Sequence, residues 1–204
     1  MSHTFETDEQ RVSYGIGRQM GDQLLSSNIP DLTVDLVLAG LRDAYTQQAS
    51  QVEEAAMQAA FQTLQTKMQA QAEETAKAAG KEGIEFLERN GAREGVITLA
   101  SGLQYEVINQ GSGATPVASS TVRTHYEGTL ISGEVFDSSY KRGEPAEFPV
   151  GGVIAGWTEA LQLMQEGAKW RLYIPSNLAY GERAAGSIPP HSTLIFDIEL
   201  IAVL

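Results

Sequence analysis

Residues that could form an apolar binding cup recur between positions 126 and 196, together with a carboxylate and a tyrosine phenol. They are Tyr126, Phe136, Asp137, Phe148, Val153, Ile154, Trp157, Tyr180, Ile188 and Phe196. This set offers no strong nucleophile, so it is unsuited to covalent catalysis. It suits rotation about an X–Pro peptide bond, where no bond is broken and the obstacle is amide resonance worth about 18–20 kcal/mol. Because water favours the charge-separated resonance form, a dry cup lowers that barrier.

The order of these residues carries a family resemblance. The collinear motifs are Val135-Phe136-Asp137-Ser138-Ser139, Val153-Ile154-Ala155-Gly156-Trp157, Ala179-Tyr180-Gly181, Ile188-Pro189-Pro190 and Thr193-Leu194-Ile195-Phe196. In them the chain resembles the FKBP-type, or tacrolimus-binding, peptidyl-prolyl cis-trans isomerases. With its helical N-terminal segment it resembles their two-domain, dimeric bacterial subgroup, which includes the macrophage infectivity potentiators. The resemblance implies a prolyl isomerase that needs no cofactor, acts on unfolded or proline-containing proteins and is inhibited by tacrolimus or rapamycin.

The resemblance also assigns expected roles to the candidate site residues. The backbone N–H of Ile154 and the phenol of Tyr180 would donate hydrogen bonds to substrate carbonyls, and Trp157 would form the floor of the proline pocket. The expected catalytic residues are Asp137, Tyr180, Phe136, Trp157 and Phe196. The expected substrate-binding residues are Tyr126, Arg142, Phe148, Val153, Ile154 and Ile188.

Several of these residues have simpler interpretations that the sequence leaves open. Trp157 at a helix start could belong to the core, and each aromatic ring could be core on one face and cup on the other. Asp137 could act on the twisting imide carbonyl, or it could be held by Tyr126 and Arg142 and keep a loop in shape. His191 follows Pro190 and is expected at the rim of the cup.

Composition narrows the class of partner. The formal net charge of −12 would repel phosphate backbones, which disfavours nucleic acid as a partner. The absence of cysteine excludes disulfides and thiolate metal sites, and the scattered His3, His125 and His191 do not predict a metal site. No run of residues reaches membrane-spanning length and the first residues do not resemble a signal peptide, so a cytoplasmic location without membrane insertion is expected.

The sequence period changes near residue 95, which predicts a helical domain over 1–95 and the isomerase domain over 96–204. Thr7 with Gln10 predicts a capping box for a first helix, which Asn28-Ile29-Pro30 should end. A second helix is expected to start at Asp31 or Thr33 and end near Tyr45.

A third helix is expected over about 50–89, with Ser50 and Glu53 as its capping box. Its stretch from Gln65 to Glu82 is mostly polar or small, which predicts a solvent-bridging linker, and Gly80 and Gly83 predict a weak point.

Three helices of this size make a small core, so the helical domain is expected to pair with a second copy. The glycines of Gly17-x-x-x-Gly21 would permit close helix approach across a dimer, although the same glycines could pack within one chain. The subgroup resemblance favours the dimer, with long helices holding two catalytic domains apart in a V.

After residue 95 the pattern predicts strands around one short helix. The expected strands are 103–108, 121–130, 170–175 and 193–204, and the expected helix is 157–164. The fold class is therefore α+β, with an all-α dimerisation domain followed by an antiparallel sheet wrapped over a helix. A second functional interpretation is a non-catalytic dimeric chaperone that uses the same apolar cup to hold clients.

Overall fold

The computed structural model describes residues 4–27 and 29–204. By contacts the chain divides into two compact units, one ending at Phe61 and the other running from Gln62 to Leu204. The border lies inside the long third helix, whose later part therefore belongs with the sheet. The division into 1–95 and 96–204, which follows the sequence period, stays a prediction.

The first unit contains two amphipathic helices that bury none of their residues. Helix α1 spans Asp8–Ser26, and the predicted capping box is confirmed because the Thr7 side chain and the Gln10 side chain each accept a backbone N–H of the other residue. Helix α2 spans Val34–Tyr45 with Thr33 at its N-cap, as predicted. The predicted stop at Asn28-Ile29-Pro30 includes Asn28, which lies outside the described residues; the helix itself ends at Ser26.

Helix α3 spans Glu54–Gly91, so the predicted start at Ser50 is wrong. The Ser50 hydroxyl instead accepts the backbone N–H of Val52 at 3.2 Å, a local turn that competes with helix capping. The predicted solvent-bridging stretch from Gln65 to Glu82 is exposed at most positions, but Ala76 within it is buried. Ala76, Gly83 and Asn90 are buried on the second unit, and the helix runs on through both predicted weak-point glycines.

The second unit is a seven-stranded antiparallel sheet, which confirms the α+β class. The strands are β1 (Ile97–Thr98), β2 (Gln104–Asn109), β3 (Thr121–Leu130), β4 (Val135–Ser138), β5 (Ala146–Pro149), β6 (Lys169–Ile174) and β7 (Leu194–Val203). Their order is β1-β2-β6-β7-β3-β4, and β5 also pairs with β3. The two ten-residue strands β3 and β7 pair in register from Leu130 opposite Leu194 to Val122 opposite Val203, with one bulge.

Two short helices complete the unit. Helix α4 spans Ser139–Arg142 and helix α5 spans Ala155–Leu161. Helix α5 buries Trp157, Ala160 and Leu161 against the inward-facing residues of the sheet, and Met164 after it is fully buried. Every second residue of β3 and β7 faces this core, as the period of a half-buried strand requires. One end of the core opens into a cavity.

Candidate active site

The predicted cup exists as a single cavity of about 570 Å³ beside α5. Its lining includes Tyr126, Phe136, Asp137, Phe148, Val153, Ile154, Trp157, Tyr180, Ile188 and Phe196. All predicted site residues except Arg142 therefore meet around one space. The volume lies in the range of sites for small ligands, and a proline with its neighbours would fit such a site.

The floor and walls of the cavity are aromatic rings that meet edge to face. The centroid of the Trp157 ring lies 5.2 Å from that of Tyr126, 5.7 Å from that of Phe148 and 5.2 Å from that of Phe196, and the ring planes meet at 84–86°. The Trp157, Tyr126 and Phe196 side chains are at most 6% exposed, so each is part of the core as well as the cup. Edge-to-face contacts of this kind add about 0.5–1.5 kcal/mol each beyond area burial, which makes the walls stiff.

Gly128 in β3 allows two of these rings to approach. Phe136 and Phe196 cross edge to face at 5.4 Å directly over this glycine. A Cβ atom there would meet the Phe136 ring at 2.5 Å and the Phe196 ring at 2.7 Å. Any side chain at position 128 would therefore push the two rings into the cavity.

Two serine hydroxyls hold the segment from Phe136 to Ser139 in place, one by capping a helix and the other by bonding to β3. Ser138 caps α4 by accepting the backbone N–H of Lys141 at 3.3 Å. Ser139 is fully buried and ties the motif to β3, because its hydroxyl accepts the N–H of Tyr126 at 2.7 Å and donates to the carbonyl of Tyr126 at 3.1 Å. These bonds fix where Asp137 lies and bring Arg142, the last residue of α4, back towards it.

Asp137 is held by a hydrogen-bonded network. The Tyr126 hydroxyl donates to Asp137 Oδ2 at 2.5 Å, Arg142 Nη1 pairs with Asp137 Oδ1, and Arg142 Nη2 donates to the Tyr126 hydroxyl at 2.8 Å. Partial burial alone would raise the pKa of Asp137, but the hydrogen bonds from Tyr126 and Arg142 outweigh it and lower the pKa. The pKa of Tyr126 is raised, first by burial and then by its bond to Asp137. The carboxylate is thus ionised and positioned at neutral pH.

Besides the buried Trp157 Nε1, the cavity offers a backbone donor and a side-chain donor that have no partner in the described parts of the chain. Among residues 4–27 and 29–204, neither the backbone N–H of Ile154 nor the phenol of Tyr180 makes a hydrogen bond. Ile154 is the N-cap of α5, and Tyr180 is 41% exposed at the mouth of the cavity. Both donors are therefore available to a carbonyl oxygen of a bound chain; the roles that the resemblance assigns to them stay predictions.

The structure also corrects and extends the predicted lining. Arg142 does not line the cavity but acts on it through Asp137 and Tyr126. His191 is not part of the lining either; its Cβ packs near the backbone of α3 at Gly80. Sequence reasoning missed the small residues of the lining, namely Gly152, Ala185, Gly186 and Ser187. The signals for them were the Gly151-Gly152 pair and the stretch with two glycines after Tyr180.

A second cavity of about 620 Å³ lies on the other face of the sheet, against the end of α3. Its basic side chains are engaged within the protein, since Arg171 forms two bonds to Asp197 at 2.5 and 2.7 Å and Arg93 pairs with Glu106 at 2.5 Å. The first cavity is apolar, contains the predicted residues and has free donors. We therefore take the first cavity as the candidate site.

Two features are absent from residues 4–27 and 29–204. No group of three or more His, Cys, Asp or Glu side chains there is arranged to hold a metal ion. In the same ranges no helix combines the length and the apolar character needed to cross a membrane.

Comparison with known proteins shows which family the chain is similar to. Residues 113–201 match the family described as FKBP-type peptidyl-prolyl cis-trans isomerase, and residues 9–107 match the family described as the domain amino terminal to it. The chain is 50% identical over 202 residues to the FKBP-type 22 kDa peptidyl-prolyl cis-trans isomerase of Escherichia coli (strain K12), covering 98% of each chain. It is 42% identical to the peptidyl-prolyl cis-trans isomerase Mip of Coxiella burnetii, covering 97% of this chain and 88% of that one.

Solved structures are similar to the whole chain or to part of it. The crystal structure of FkpA from Escherichia coli superposes with a TM-score of 0.70 at 37% identity, covering 98% of each chain. A prolyl isomerase from Pseudomonas syringae gives a TM-score of 0.59 at 44% identity over 63% of this chain. With the aromatic cavity, the collinear motifs and full-length similarity together, the chain belongs to the FKBP-type peptidyl-prolyl cis-trans isomerase family, in its two-domain form.

Proposed function

We propose that this protein accelerates the cis/trans isomerisation of X–Pro bonds in folding proteins at the aromatic cavity. The observation that carries the proposal is the combination of a stiff apolar cup with two unpartnered donors, Ile154 N–H and the Tyr180 phenol. No group of the cavity needs to form a covalent bond for this reaction. The names of the relatives support the same activity.

The proposed mechanism is binding of the imide in a twisted, poorly hydrated state. The proline ring sits on Trp157 between the other rings, while Ile154 and Tyr180 hold the flanking carbonyls. Uncatalysed isomerisation takes tens to hundreds of seconds, so a rate of roughly 100 per second requires the barrier to fall by about 4–6 kcal/mol. Desolvation and a few hydrogen bonds realised in the twisted state are sufficient for a reduction of that size.

An exchange-NMR or protease-coupled assay on an X–Pro tetrapeptide tests the activity. Phe196→Leu should lower kcat/KM about tenfold, because it removes edge-to-face contacts with Phe136 and Trp157 and loosens the cup. Phe86→Leu is the matched control, because Phe86 lines the second cavity and contacts Tyr173 at 5.8 Å. Tacrolimus should inhibit the wild-type protein. A wild-type protein that leaves exchange at the uncatalysed rate would refute the proposal.

We further propose that the protein is a homodimer joined through its N-terminal helices. The supporting observation is the apolar face of α1, where Val12, Ile16 and Met20 recur every four residues and are 61%, 56% and 37% exposed. A Cβ atom at Gly17 or Gly21 would meet nothing within 4 Å among the described residues. Within residues 4–27 and 29–204 nothing therefore packs on these glycines, which favours the other interpretation, close approach of a partner helix.

The dimer suggests a second role, holding of unfolded clients between two cups, because two linked sites raise avidity by effective concentration. Deletion of residues 1–50 separates this role from catalysis. The shortened protein should be monomeric, retain activity on tetrapeptides and accelerate proline-limited refolding of a protein much less than the full chain. If the shortened protein accelerates refolding as well as the full chain does, the N-terminal helices do not act by holding clients.

The cytoplasmic location stays a prediction. One relative, 42% identical over 97% of this chain, is named outer membrane protein MIP, of Legionella longbeachae. Subcellular fractionation distinguishes a cytoplasmic from a membrane-associated protein.

A further inference from the structure

The later part of α3 lies directly against the loop that carries five residues of the cavity lining, two of which, Tyr180 and Ile188, are predicted site residues. We call residues 180–193 the active-site loop, since Tyr180 and Ile188 of this loop line the cavity. Gly83 of α3 is buried, and a Cβ atom built on it would lie 2.5 Å from Thr193 Oγ1 and 3.3 Å from Thr193 Cβ. Thr193 is 3% exposed, so it has little room to move away.

A second glycine on the same face of the helix makes a looser contact with the same loop. Gly80 is three residues before Gly83, which places both on one side of α3. A Cβ atom at Gly80 would lie 3.2 Å from His191 Cβ. Beside this contact, small side chains of α3 face Leu130 and Pro189 across a cleft of about 220 Å³. The two glycines therefore allow the helix to lie close to the loop.

The active-site loop can transmit a displacement at Thr193 because its two ends are tied together. The N–H of His191 donates to the carbonyl of Gly181 at 2.7 Å, next to Tyr180. Ala185 and Ile188 exchange two backbone hydrogen bonds of 3.0 Å, which close the tip of the loop.

The backbone of His191 is in a conformation that needs support. Its φ of 61° lies in the left-handed region, which is uncommon for a residue other than glycine and costs free energy unless surrounding contacts hold it. The contacts that hold it are the bond to Gly181 on one side and the α3 backbone at Gly80 on the other. The helix is thus part of what keeps the loop in its present shape.

We propose that Gly83 is a positioning residue for the isomerase site. Because glycine has no side chain, α3 packs closely against Thr193, and this contact holds the active-site loop in place, together with its Ile188 and Tyr180. The inference rests on the proposed function for its catalytic consequence. The linking helix then has a second task besides connection, because it forms one wall behind the loop.

The test is Gly83→Ala in the full-length protein. Alanine is a better helix former than glycine by about 1 kcal/mol, so the substitution does not weaken α3 itself. The added methyl group should displace Thr193 and lower kcat/KM on an X–Pro tetrapeptide about tenfold, since small misplacements of site residues cost that much. Gly80→Ala, with its looser contact, should lower it about threefold.

Rescue and control variants separate positioning from general damage. Thr193→Ala removes the hydroxyl that the new methyl group would meet, so in that background Gly83→Ala should change kcat/KM less than about twofold. Gly91→Ala is the matched control, because a Cβ there meets Gln104 Nε2 of β2 at 2.8 Å, away from the loop. It should retain wild-type kcat/KM, and urea unfolding should show that all variants fold.

Amide chemical shifts provide a readout that does not depend on catalysis. In Gly83→Ala the amides of Tyr180, Gly186 and Ile188 should shift, while those of α5 stay in place. The proposal is overturned if a folded Gly83→Ala protein keeps both wild-type kcat/KM and wild-type loop shifts. It is also overturned if the loss persists with Thr193→Ala or is matched by Gly91→Ala. An inactive wild-type protein would refute the proposed function instead, and the shifts would still test the contact.

Discussion

The apolar face of α1 allows a quantitative test of the dimer through Ile16. Replacing Ile16 with Ala removes three carbon atoms, worth about 0.8 kcal/mol each when fully buried. The side chain is 56% exposed in the single chain, so a partner can bury a little over half of it. The loss is about 1.3 kcal/mol per protomer and, with two copies per dimer, about 2.7 kcal/mol. The dimer dissociation constant should therefore rise roughly a hundredfold.

Fluorescence-detected sedimentation velocity over a dilution series measures that constant. Ile108→Ala is the matched control, because this isoleucine is 52% exposed on β2 in the other unit and should leave the constant unchanged. Alanine has the higher helix propensity, so α1 should persist, which circular dichroism checks. A constant within about threefold of the wild type in Ile16→Ala would refute burial of this face in the dimer.

Three further predictions concern the second unit. Tyr126→Phe keeps the ring but removes the hydrogen bond to Asp137. The variant should lose about tenfold in kcat/KM and about 1 kcal/mol in free energy of unfolding. Unchanged kinetics would show that catalysis does not need this hydrogen-bonded network. The folded pKa of Asp137 is depressed, so its stabilising effect is present above its unfolded pKa and lost as pH falls through the folded pKa. The free energy of unfolding, measured in urea, should therefore differ most between Asp137→Asn and the wild type at neutral pH and least below about pH 4. A difference in this free energy that does not change with pH would contradict the prediction. Fragment 96–204 should unfold at a lower urea concentration than fragment 62–204, because it loses the hydrogen bonds between α3 and the Gln104 side chain. Equal unfolding midpoints would show that the helix adds no stability to the sheet.

Short-range signals in the sequence were reliable where nothing competed with them. The Thr7–Gln10 box and the alternating pattern of β3 depend on neighbours a few residues apart, and both are confirmed. The Ser50–Glu53 box has the same spacing but fails, because the Ser50 hydroxyl bonds within a turn to Val52. A motif of two residues cannot reveal whether the serine hydroxyl will form the helix-capping hydrogen bond or a competing hydrogen bond within a turn.

Contacts between distant parts of the chain were beyond the sequence pattern. Periodicity shows the stretch around Gly83 as small and polar, which is typical of a solvated linker. It is in fact a close-approach surface whose partner, Thr193, lies more than a hundred residues away. Arg142 is a different case, because its pairing with Asp137 was one of the interpretations left open by the sequence, and only its place outside the cavity lining was not predicted.

The site itself was largely predictable because its motifs combine core and cup. Trp157 and Phe196 must be buried to hold the sheet on α5, and the same burial places their edges around the cavity. The lining from Ala185 to Ser187 carries no such double role, so pattern and composition did not single it out.

The chain has two tryptophans, and they lie in separate surroundings. Trp157 lines the cavity, whereas Trp170 stacks on Tyr105 at 4.2 Å with nearly parallel rings and lies outside the cavity lining. Replacing Trp170 with Phe would leave one indole emitter, positioned at the candidate site. The protein then contains its own optical reporter, so occupancy of the cup can be followed by intrinsic fluorescence, in real time and without a label.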